Sequence, residues 1–260
     1  MKKIIIPLLL ASFTSLHAQS LSFTNFTLES GADLQESAVY RFDSVIDGAD
    51  ALVTILQIQD NTTLVSIDDS SVDSTLDNTA FRPIINYLSP DGEDIVGSVS
   101  FGISFVEMGT LTSVTLNSFG AQIFDSDGDG DGDGTGDGDL REFVFSDGAI
   151  DFRGSGLTPV TSALAPISAE GSLAATSDTN PGINDTEAFR TDYSFDNVSE
   201  ITFRFGAIGN DNVNDGDNDR LHAASFTGTP TILNSSPVPE PSSVTLLGIS
   251  AIGLLMRRKR

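Results

Sequence analysis

The sequence predicts an all-β fold, an antiparallel β-sandwich of jelly-roll type. Three observations carry this prediction. Apolar and polar residues alternate with a period of two along most of the chain, and Gly, Asp and Asn separate the alternating runs. No stretch of the body keeps the i, i+3, i+4 apolar spacing of a helix over three turns. Phenylalanine occurs 17 times and tryptophan is absent, so Phe side chains are expected to build the core.

The first 18 residues have the composition of a secretory signal peptide. Lys2 and Lys3 precede an apolar run over residues 4–10, and the small residue Ala18 ends the segment. We expect a signal helix over residues 1–18 that is cleaved off between Ala18 and Gln19. The exported chain contains no cysteine, so a core or bound ions must stabilise it in place of disulfides.

One domain is expected over residues 19–229. Within it, strands are predicted over 21–29, 38–46, 51–59, 97–107, 111–124, 141–147, 200–208 and 220–228. In the segment 200–208, Ile201, Phe203 and Phe205 alternate with polar residues. This pattern is typical of a sheet with one buried face and one solvated face.

The mature body is strongly acidic. The whole chain has 13 Lys and Arg against 37 Asp and Glu, a formal net charge of −24. Two lysines belong to the signal peptide and four basic residues end the chain, which leaves seven arginines against 36 acids in between, near −29. Such a body repels nucleic acid and anionic lipid, so neither is an expected partner. It attracts cations, which would screen its self-repulsion.

An aspartate and glycine run over residues 125–139 is the candidate cation site. Carboxylate oxygens are hard ligands that suit Ca²⁺, and glycine lets the chain turn tightly around an ion. The predicted ligands are Asp125, Asp127, Asp129, Asp131, Asp133, Asp139 and Glu142. One register resembles an EF-hand loop, but strands are predicted on both flanks and Gly138 stands at the usual apolar position, so we expect a turn-type calcium loop. The alternative is an acidic loop with diffuse cation association. A second acidic patch, residues 210–220, favours a hairpin loop over a second ion site.

The body offers few groups for catalysis, and no catalytic residue is predicted. His222 is the one imidazole outside the signal peptide, and a surface or strand-edge role is expected for it. Cysteine nucleophiles are absent, and carboxylates are too numerous for any glycosidase-type pair to be singled out. Two alternative functions stay open, a carboxylate-based glycan hydrolase and a carbohydrate-binding module. For the latter, Tyr40, Tyr87 and Tyr193 are the only phenolic platforms.

The carboxyl-terminal segment, residues 238–260, combines three features. They are the triplet Pro239, Glu240 and Pro241, an apolar run over 244–256, and the basic end Arg257, Arg258, Lys259 and Arg260. As a helix the apolar run would be about 20 Å long against about 30 Å of hydrocarbon, so it spans a bilayer only marginally. The basic end would stay cytoplasmic and leave the body outside. Residues 230–237 are polar and proline-rich, which predicts an extended linker.

In this order and position, the three features resemble the tripartite PEP-CTERM sorting signal of Gram-negative bacteria. The resemblance implies a C-terminal hydrophobic helix that is recognised, and cleaved, by a membrane-embedded exosortase. It also implies an exported protein that is transiently anchored in the inner membrane and then reaches the cell surface or the exterior. Since proteins with this signal are associated with extracellular polysaccharide and biofilms, it implies a structural or adhesive role in the envelope or extracellular matrix. A plain membrane anchor is the alternative for the tail.

Overall fold

The computed structural model describes residues 20–59, 61–69, 79–87, 95–124, 128–129, 140–147, 149, 151–154, 158–159, 170–173, 190–209 and 219–233. The described residues form strands, turns and extended segments, and none of them lies in a helix. The all-β prediction is therefore confirmed for the described part of the chain. The predicted signal helix over 1–18 and the C-terminal hydrophobic helix lie outside it.

Sixteen strands are described, and all their pairings are antiparallel. They are β1 (Phe26–Ser30), β2 (Val39–Ile46), β3 (Ala49–Ile58), β4 (Thr62–Ser66), β5 (Ile84–Tyr87), β6 (Ile95–Glu107), β7 (Phe119–Phe124), β8 (Gly128–Asp129), β9 (Leu140–Asp147), β10 (Asp151–Gly154), β11 (Thr158–Pro159), β12 (Glu170–Leu173), β13 (Thr191–Phe195), β14 (Glu200–Gly209), β15 (Asp219–Leu221) and β16 (Ala223–Thr227).

The strands form three sheets. The largest is nine-stranded with the order β1-β2-β3-β6-β14-β9-β12-β11, and β8 pairs with β9. A four-stranded sheet has the order β10-β13-β7-β16, and a three-stranded sheet has the order β15-β5-β4. At the centre of the largest sheet, β14 runs antiparallel to β6 from Glu200 opposite Ser104 to Gly209 opposite Ile95. The two ends of β14 mark opposite ends of this sheet.

One hydrophobic cluster joins the three sheets. The Phe203 ring of β14 lies 6.2 Å from the Phe195 ring of β13, and the Phe105 ring of β6 lies 5.9 Å from the Phe119 ring of β7. Tyr87 of the three-stranded sheet belongs to the same cluster. The nine-stranded and four-stranded sheets therefore contact each other through their apolar faces, and the predicted role of Phe side chains in the core is confirmed. Each fully buried Phe contributes roughly 1.5–3 kcal/mol of burial free energy.

A buried ion pair connects β2 and β3 to the turn after β6. The Asp50 carboxylate accepts hydrogen bonds from Arg41 Nη1 at 2.9 Å, from the Ser44 amide at 2.9 Å and from the Gly109 amide at 2.8 Å. Arg41 also donates to Glu29 of the edge strand β1. Burial by itself would raise the pKa of Asp50, but these three donors hold that pKa below its ordinary value.

Three of the predicted strands differ from the observed ones. Of the predicted segment 21–29, only the part from Phe26 onward forms a strand, β1, and residues 21–25 lie outside any strand. Only Phe119–Phe124 of the predicted segment 111–124 forms a strand, since the chain is still in a turn at residue 111 and then makes isolated bridges at Ser113 and Leu116. The predicted segment 220–228 is divided at His222 into β15 and β16, which pair in different sheets.

The body extends further toward the carboxyl terminus than composition indicates. Residues 230–233 were expected to belong to the linker, yet Pro230 is buried and Ile232 lies opposite Leu116. The Leu233 amide donates to the Thr115 carbonyl oxygen at 2.8 Å. Residues 231–233 therefore pair with 115–117 and run antiparallel to them. The remaining linker residues and the tail lie outside the described residues.

Candidate functional site

Three acid-rich segments of the sequence are bounded by strand ends that lie side by side in the nine-stranded sheet. Gly209, the last residue of β14, is the Cα partner of Ile95 in β6 and of Leu140 in β9. Leu140 in turn pairs with Asp129 of β8. The segments that begin or end at these positions are 88–94, 130–139 and 210–218. We call this end of the sheet the acidic end.

The acids in these segments are numerous. Residues 88–94 include Asp91, Glu93 and Asp94; residues 130–139 include Asp131, Asp133, Asp137 and Asp139; residues 210–218 include Asp211, Asp215 and Asp217. The side chains of these residues lie outside the described part of the chain. The strand register nevertheless fixes one end of segments 88–94 and 210–218, and both ends of segment 130–139, at this edge of the nine-stranded sheet. Like charges attached to neighbouring strand ends repel one another, and a divalent cation relieves that repulsion.

The predicted calcium ligands occupy different positions relative to the described residues. Asp129 lies in β8, with its backbone opposite Leu140. Asp125, Asp127, Asp131, Asp133 and Asp139 lie outside the described residues. The flanks of the run are strands, β7 before it and β9 after it, and the two-residue strand β8 lies within it, which agrees with the rejection of an EF-hand.

Glu142 occupies a different environment from that expected of a loop ligand. It lies in β9 opposite Ala207, and 2% of its surface is exposed. Its Oε1 atom lies 3.9 Å from Arg220 Nε. Because its carboxyl group lies inside the fold, beside a guanidinium, we leave Glu142 out of the proposed ligand set.

His222 lies next to this ion pair and is buried, so the expected surface or strand-edge role is wrong. Its Nε2 atom lies 2.9 Å from the Tyr87 hydroxyl, and its ring stacks on Phe205 with centroids 5.1 Å apart. Burial, aided by the positive charge of Arg220, lowers the pKa of His222 to about 3. The imidazole is therefore neutral near pH 7. Burial and the charge of Glu142 raise the pKa of Tyr87 well above its ordinary value.

The three tyrosines considered as sugar platforms are all buried. Tyr87 packs against His222, and Tyr193 packs against Phe203 with ring centroids 6.1 Å apart. The Tyr40 hydroxyl donates to Asp33 Oδ1 and accepts a hydrogen bond from the Leu34 amide. Since stacking on a sugar needs an exposed ring face, these rings belong to the core and offer no platform.

Sequence reasoning missed two parts of this region. The first is segment 88–94, whose Pro-Asp-Gly-Glu-Asp stretch marks an acidic turn but whose neighbours in space the sequence does not reveal. The second is the cluster of Tyr87, Glu142 and His222, which are buried, with the partly exposed Arg220, since no local pattern brings those residues together. Within the described residues, His, Cys, Asp and Glu form no group of three or more that could hold a metal ion.

Within the described residues, the structure contains no helix whose length and hydropathy would carry it across a bilayer. No curated protein and no solved structure matches the chain. Residues 237–260 match the family described as the PEP-CTERM protein-sorting motif. That match covers the tail alone and implies that an exosortase targets this chain as a secreted protein. The chain thus carries a PEP-CTERM protein-sorting motif at its carboxyl terminus, behind a body made mostly of β-strands.

Proposed function

We propose that this protein is a structural or adhesive component of the cell envelope or extracellular matrix of a Gram-negative bacterium. In this proposal an N-terminal signal peptide exports the chain, and its tail holds it briefly in the inner membrane until an exosortase cleaves it. The body is a β-sandwich of jelly-roll type with a binding rather than a catalytic role. The sorting motif at residues 237–260 is the single observation that supports the localisation.

We further propose that Ca²⁺ stabilises the body at the acidic end. The supporting observation is the register that makes Gly209 a neighbour of both Ile95 and Leu140, so three acid-rich segments begin or end at adjacent strand ends. Ca²⁺ takes six to eight oxygen ligands in flexible geometry, which several converging carboxylates can supply. Extracellular polysaccharide is the proposed partner of the processed protein. The buried tyrosines and the buried His222 give no support to a sugar-stacking or imidazole-based alternative.

A calcium titration of the purified protein tests the ion site. Thermal unfolding and calorimetry in Ca²⁺, in Mg²⁺ and in chelator should show a Ca²⁺-specific rise in the unfolding temperature, because an ion that binds only the folded state stabilises it. The variant Asp131→Asn/Asp133→Asn/Asp139→Asn should lose most of that rise.

The matched control removes the same number of charges at the opposite end of the sheet. Asp43, Asp47 and Glu200 are exposed there, and the variant Asp43→Asn/Asp47→Asn/Glu200→Gln should respond to Ca²⁺ like the parent. Equal losses in both triple variants would reduce the effect to general charge screening and overturn the specific site.

Mass spectrometry tests the sorting step. The mature protein from cells with the sorting enzyme should lack the basic end Arg257–Arg260, whereas the protein from cells without the enzyme should retain it. Pro239→Ala/Glu240→Ala/Pro241→Ala should also retain it. An intact basic end in both strains would contradict processing and favour a plain anchor.

A further inference from the structure

The described part of the chain ends beside an exposed apolar turn. The turn comprises residues 107–112 and follows β6; we call it the exit turn. Met108 is 51% exposed and Leu111 is 71% exposed, and Leu233, the last described residue, is 49% exposed. Single exposed apolar side chains are ordinary. Here, however, three of them lie near the residue where the described chain ends, ahead of the apolar run of the tail, and this arrangement requires an explanation.

Hydrogen bonds and contacts place these side chains near the Glu200 end of the largest sheet. The Met108 amide donates to the Gly48 carbonyl oxygen at 3.1 Å, and a Cβ built on Gly48 would lie 3.4 Å from Ile232 Cδ1. Leu233 bonds to Thr115, four residues beyond Leu111. Residues 231–233 run antiparallel to 115–117. The direction of the chain at Leu233, the last described residue, is therefore toward the exit turn.

The exit turn is held by the protein's own hydrogen bonds. Its backbone donors include the amides of Glu107, Met108, Gly109, Thr110 and Thr112, which bond to Thr112, Gly48, Asp50, Glu107 and Thr110 respectively. The Thr110 carbonyl oxygen accepts from Arg41 Nη2 at 3.0 Å. Backbone groups satisfied in this way do not have to be stripped of water when the turn meets an apolar medium. The turn therefore presents Met108 and Leu111 on a rigid support.

We propose that Met108, Leu111 and Leu233 form a docking surface for a lipid bilayer, used while the tail is embedded. This inference rests on the membrane stage of the proposed function. Ten residues, 234–243, separate Leu233 from the apolar run that begins at Val244. Fully extended, they reach at most about 35 Å, so the tether holds the exit turn close to the membrane surface. Aliphatic side chains on such a turn gain free energy by leaving water for the acyl boundary.

Charge at this end selects the kind of lipid. Asp47 is exposed in the turn between β2 and β3, next to Gly48, and Asp196 lies in the turn before β14. Anionic headgroups would repel these carboxylates. The surface therefore fits a zwitterionic leaflet, and phosphatidylcholine vesicles are the probe of choice.

The test uses the absence of cysteine from the chain, which allows a fluorophore to be attached at one engineered position. The full chain is reconstituted into phosphatidylcholine vesicles with or without lipids that carry a spin-label quencher. Labels are placed at Leu111→Cys, at Ser250→Cys within the apolar run, and at Val65→Cys. Val65 is a matched control, an apolar residue that is 41% exposed on β4 of the three-stranded sheet.

Quenching by lipid should occur at positions 250 and 111 and be at least about twofold weaker at position 65, because only the first two sites reach the acyl boundary. With the label moved to Thr112→Cys, the change Met108→Asp/Leu111→Asp should abolish most of the quenching and leave the unfolding temperature unchanged.

Quenching at 250 with equal, low quenching at 111 and 65 would overturn the docking surface but not the tail insertion. Protection of 111 from an aqueous quencher without lipid quenching would reveal a protein partner and also overturn it. No quenching at 250 would overturn the membrane stage and the docking surface together.

Discussion

Asp50 joins three parts of the fold through one carboxylate. Its two oxygens accept from Arg41, from the Ser44 amide within the irregular part of β2, and from the Gly109 amide in the exit turn. Ser44 has a positive φ of 54°, a backbone conformation that serine rarely adopts and that this hydrogen bond helps to hold. The carboxylate therefore fixes a local geometry as well as balancing a buried charge.

Replacing Asp50 with Asn should lower the free energy of unfolding by about 3–5 kcal/mol, because it leaves the Arg41 guanidinium largely buried and without one of its carboxylate partners. Urea unfolding at neutral pH measures the loss. Asp47→Asn, which removes an exposed carboxylate from the neighbouring turn, is the control and should change the value by less than about 0.5 kcal/mol. Similar values for the two variants would show that the Asp50 network contributes little.

His222 should make the fold sensitive to acid. Its pKa is about 3 in the folded state, against about 6.5 in an unfolded chain. As the pH falls from about 6.5 toward 3, the unfolded chain gains a proton that the folded state does not take up, so the free energy of unfolding falls. The free energy of unfolding is therefore unaffected by His222 above the unfolded pKa of about 6.5. It decreases progressively as the pH falls from there toward the folded pKa of about 3.

The slope of unfolding free energy against pH, measured by urea unfolding between pH 7 and pH 4, tests this effect. His222→Gln should have a smaller slope than the parent, whatever its absolute stability, because glutamine does not titrate. Tyr87→Phe removes the hydroxyl bonded to His222 and keeps the imidazole, so its slope should resemble that of the parent. An unchanged slope in His222→Gln would show that His222 is not the source of this acid sensitivity.

Single residues also show what sequence reasoning could not see. Tyr40, Tyr87 and Tyr193 look like potential binding platforms because tyrosine is amphipathic, but cross-strand neighbours in three different sheets bury all of them. His222 likewise follows Leu221 and precedes Ala223 in a segment without clear alternation, and only the division of that segment into β15 and β16 places it inside the fold. Burial of an amphipathic residue depends on tertiary contacts rather than on its local pattern.

At the level of elements, glycine at the centre of the large sheet has a packing role. Gly206 of β14 leaves room for the Phe143 ring of β9, and a Cβ there would lie 2.6 Å from the carbonyl oxygen of Gly97 on β6. A backbone oxygen cannot move aside without disturbing the pairing of β6 and β14. Arg204, two residues away, covers the same ring at 5.8 Å.

Gly206→Ala should therefore lower the free energy of unfolding by about 1–3 kcal/mol through overpacking. Gly102→Ala is the matched control on β6, since a Cβ there meets only the exposed Leu56 side chain, which can rotate away. Chemical unfolding of both variants is the measurement. Equal stability of the two variants would contradict the steric argument.

Strand prediction succeeded where alternation was long and failed where neighbouring segments join different sheets. The predicted strand 200–208 is observed as Glu200–Gly209, and 141–147 as Leu140–Asp147, because one face of each is strongly apolar. The segment 111–124 fails in its first part, since the exit turn interrupts it. The short strands β4 and β5 were not predicted, because four or five residues carry too little periodicity.

The candidate ion site was predictable only in part. The density of aspartate and glycine in 125–139 is evident from the sequence and favours a hard cation. The pairing of Gly209 with Ile95 and Leu140, which border the acid-rich segments, depends on the register of β6, β14 and β9, which the sequence does not specify. Glu142 was included as a ligand because it fits a loop spacing, whereas strand alternation turns it toward Arg220 in the interior.

For the whole molecule, the dominant physical property is its negative charge. The formal net charge is −24, and the acids between the two ends of the chain outnumber the bases even more strongly. Self-repulsion of this size opposes folding unless ions screen it.

Raising NaCl from about 20 mM to about 500 mM should raise the midpoint of thermal unfolding by several degrees, since the screening length falls from tens of ångströms to a few. Differential scanning calorimetry at fixed pH measures the shift. Millimolar Ca²⁺ at constant ionic strength should raise the midpoint further if the acidic end binds it. A midpoint that falls with salt would show that attractive ion pairs outweigh the repulsion.

The two ends of β14 differ in what they carry, and this gives an anchored molecule an orientation. The last described residues, 231–233, lie near the Glu200 end, whereas the acidic end lies at Gly209, about 30 Å away along the strand. Molecules tethered to one membrane would therefore direct their acidic ends away from it, into the medium. At low ionic strength the acidic ends of neighbouring molecules would repel each other and keep the molecules apart. Divalent ions shared between those ends would bring the molecules closer together. The spacing of such a coat would then follow the hardness of the surrounding water.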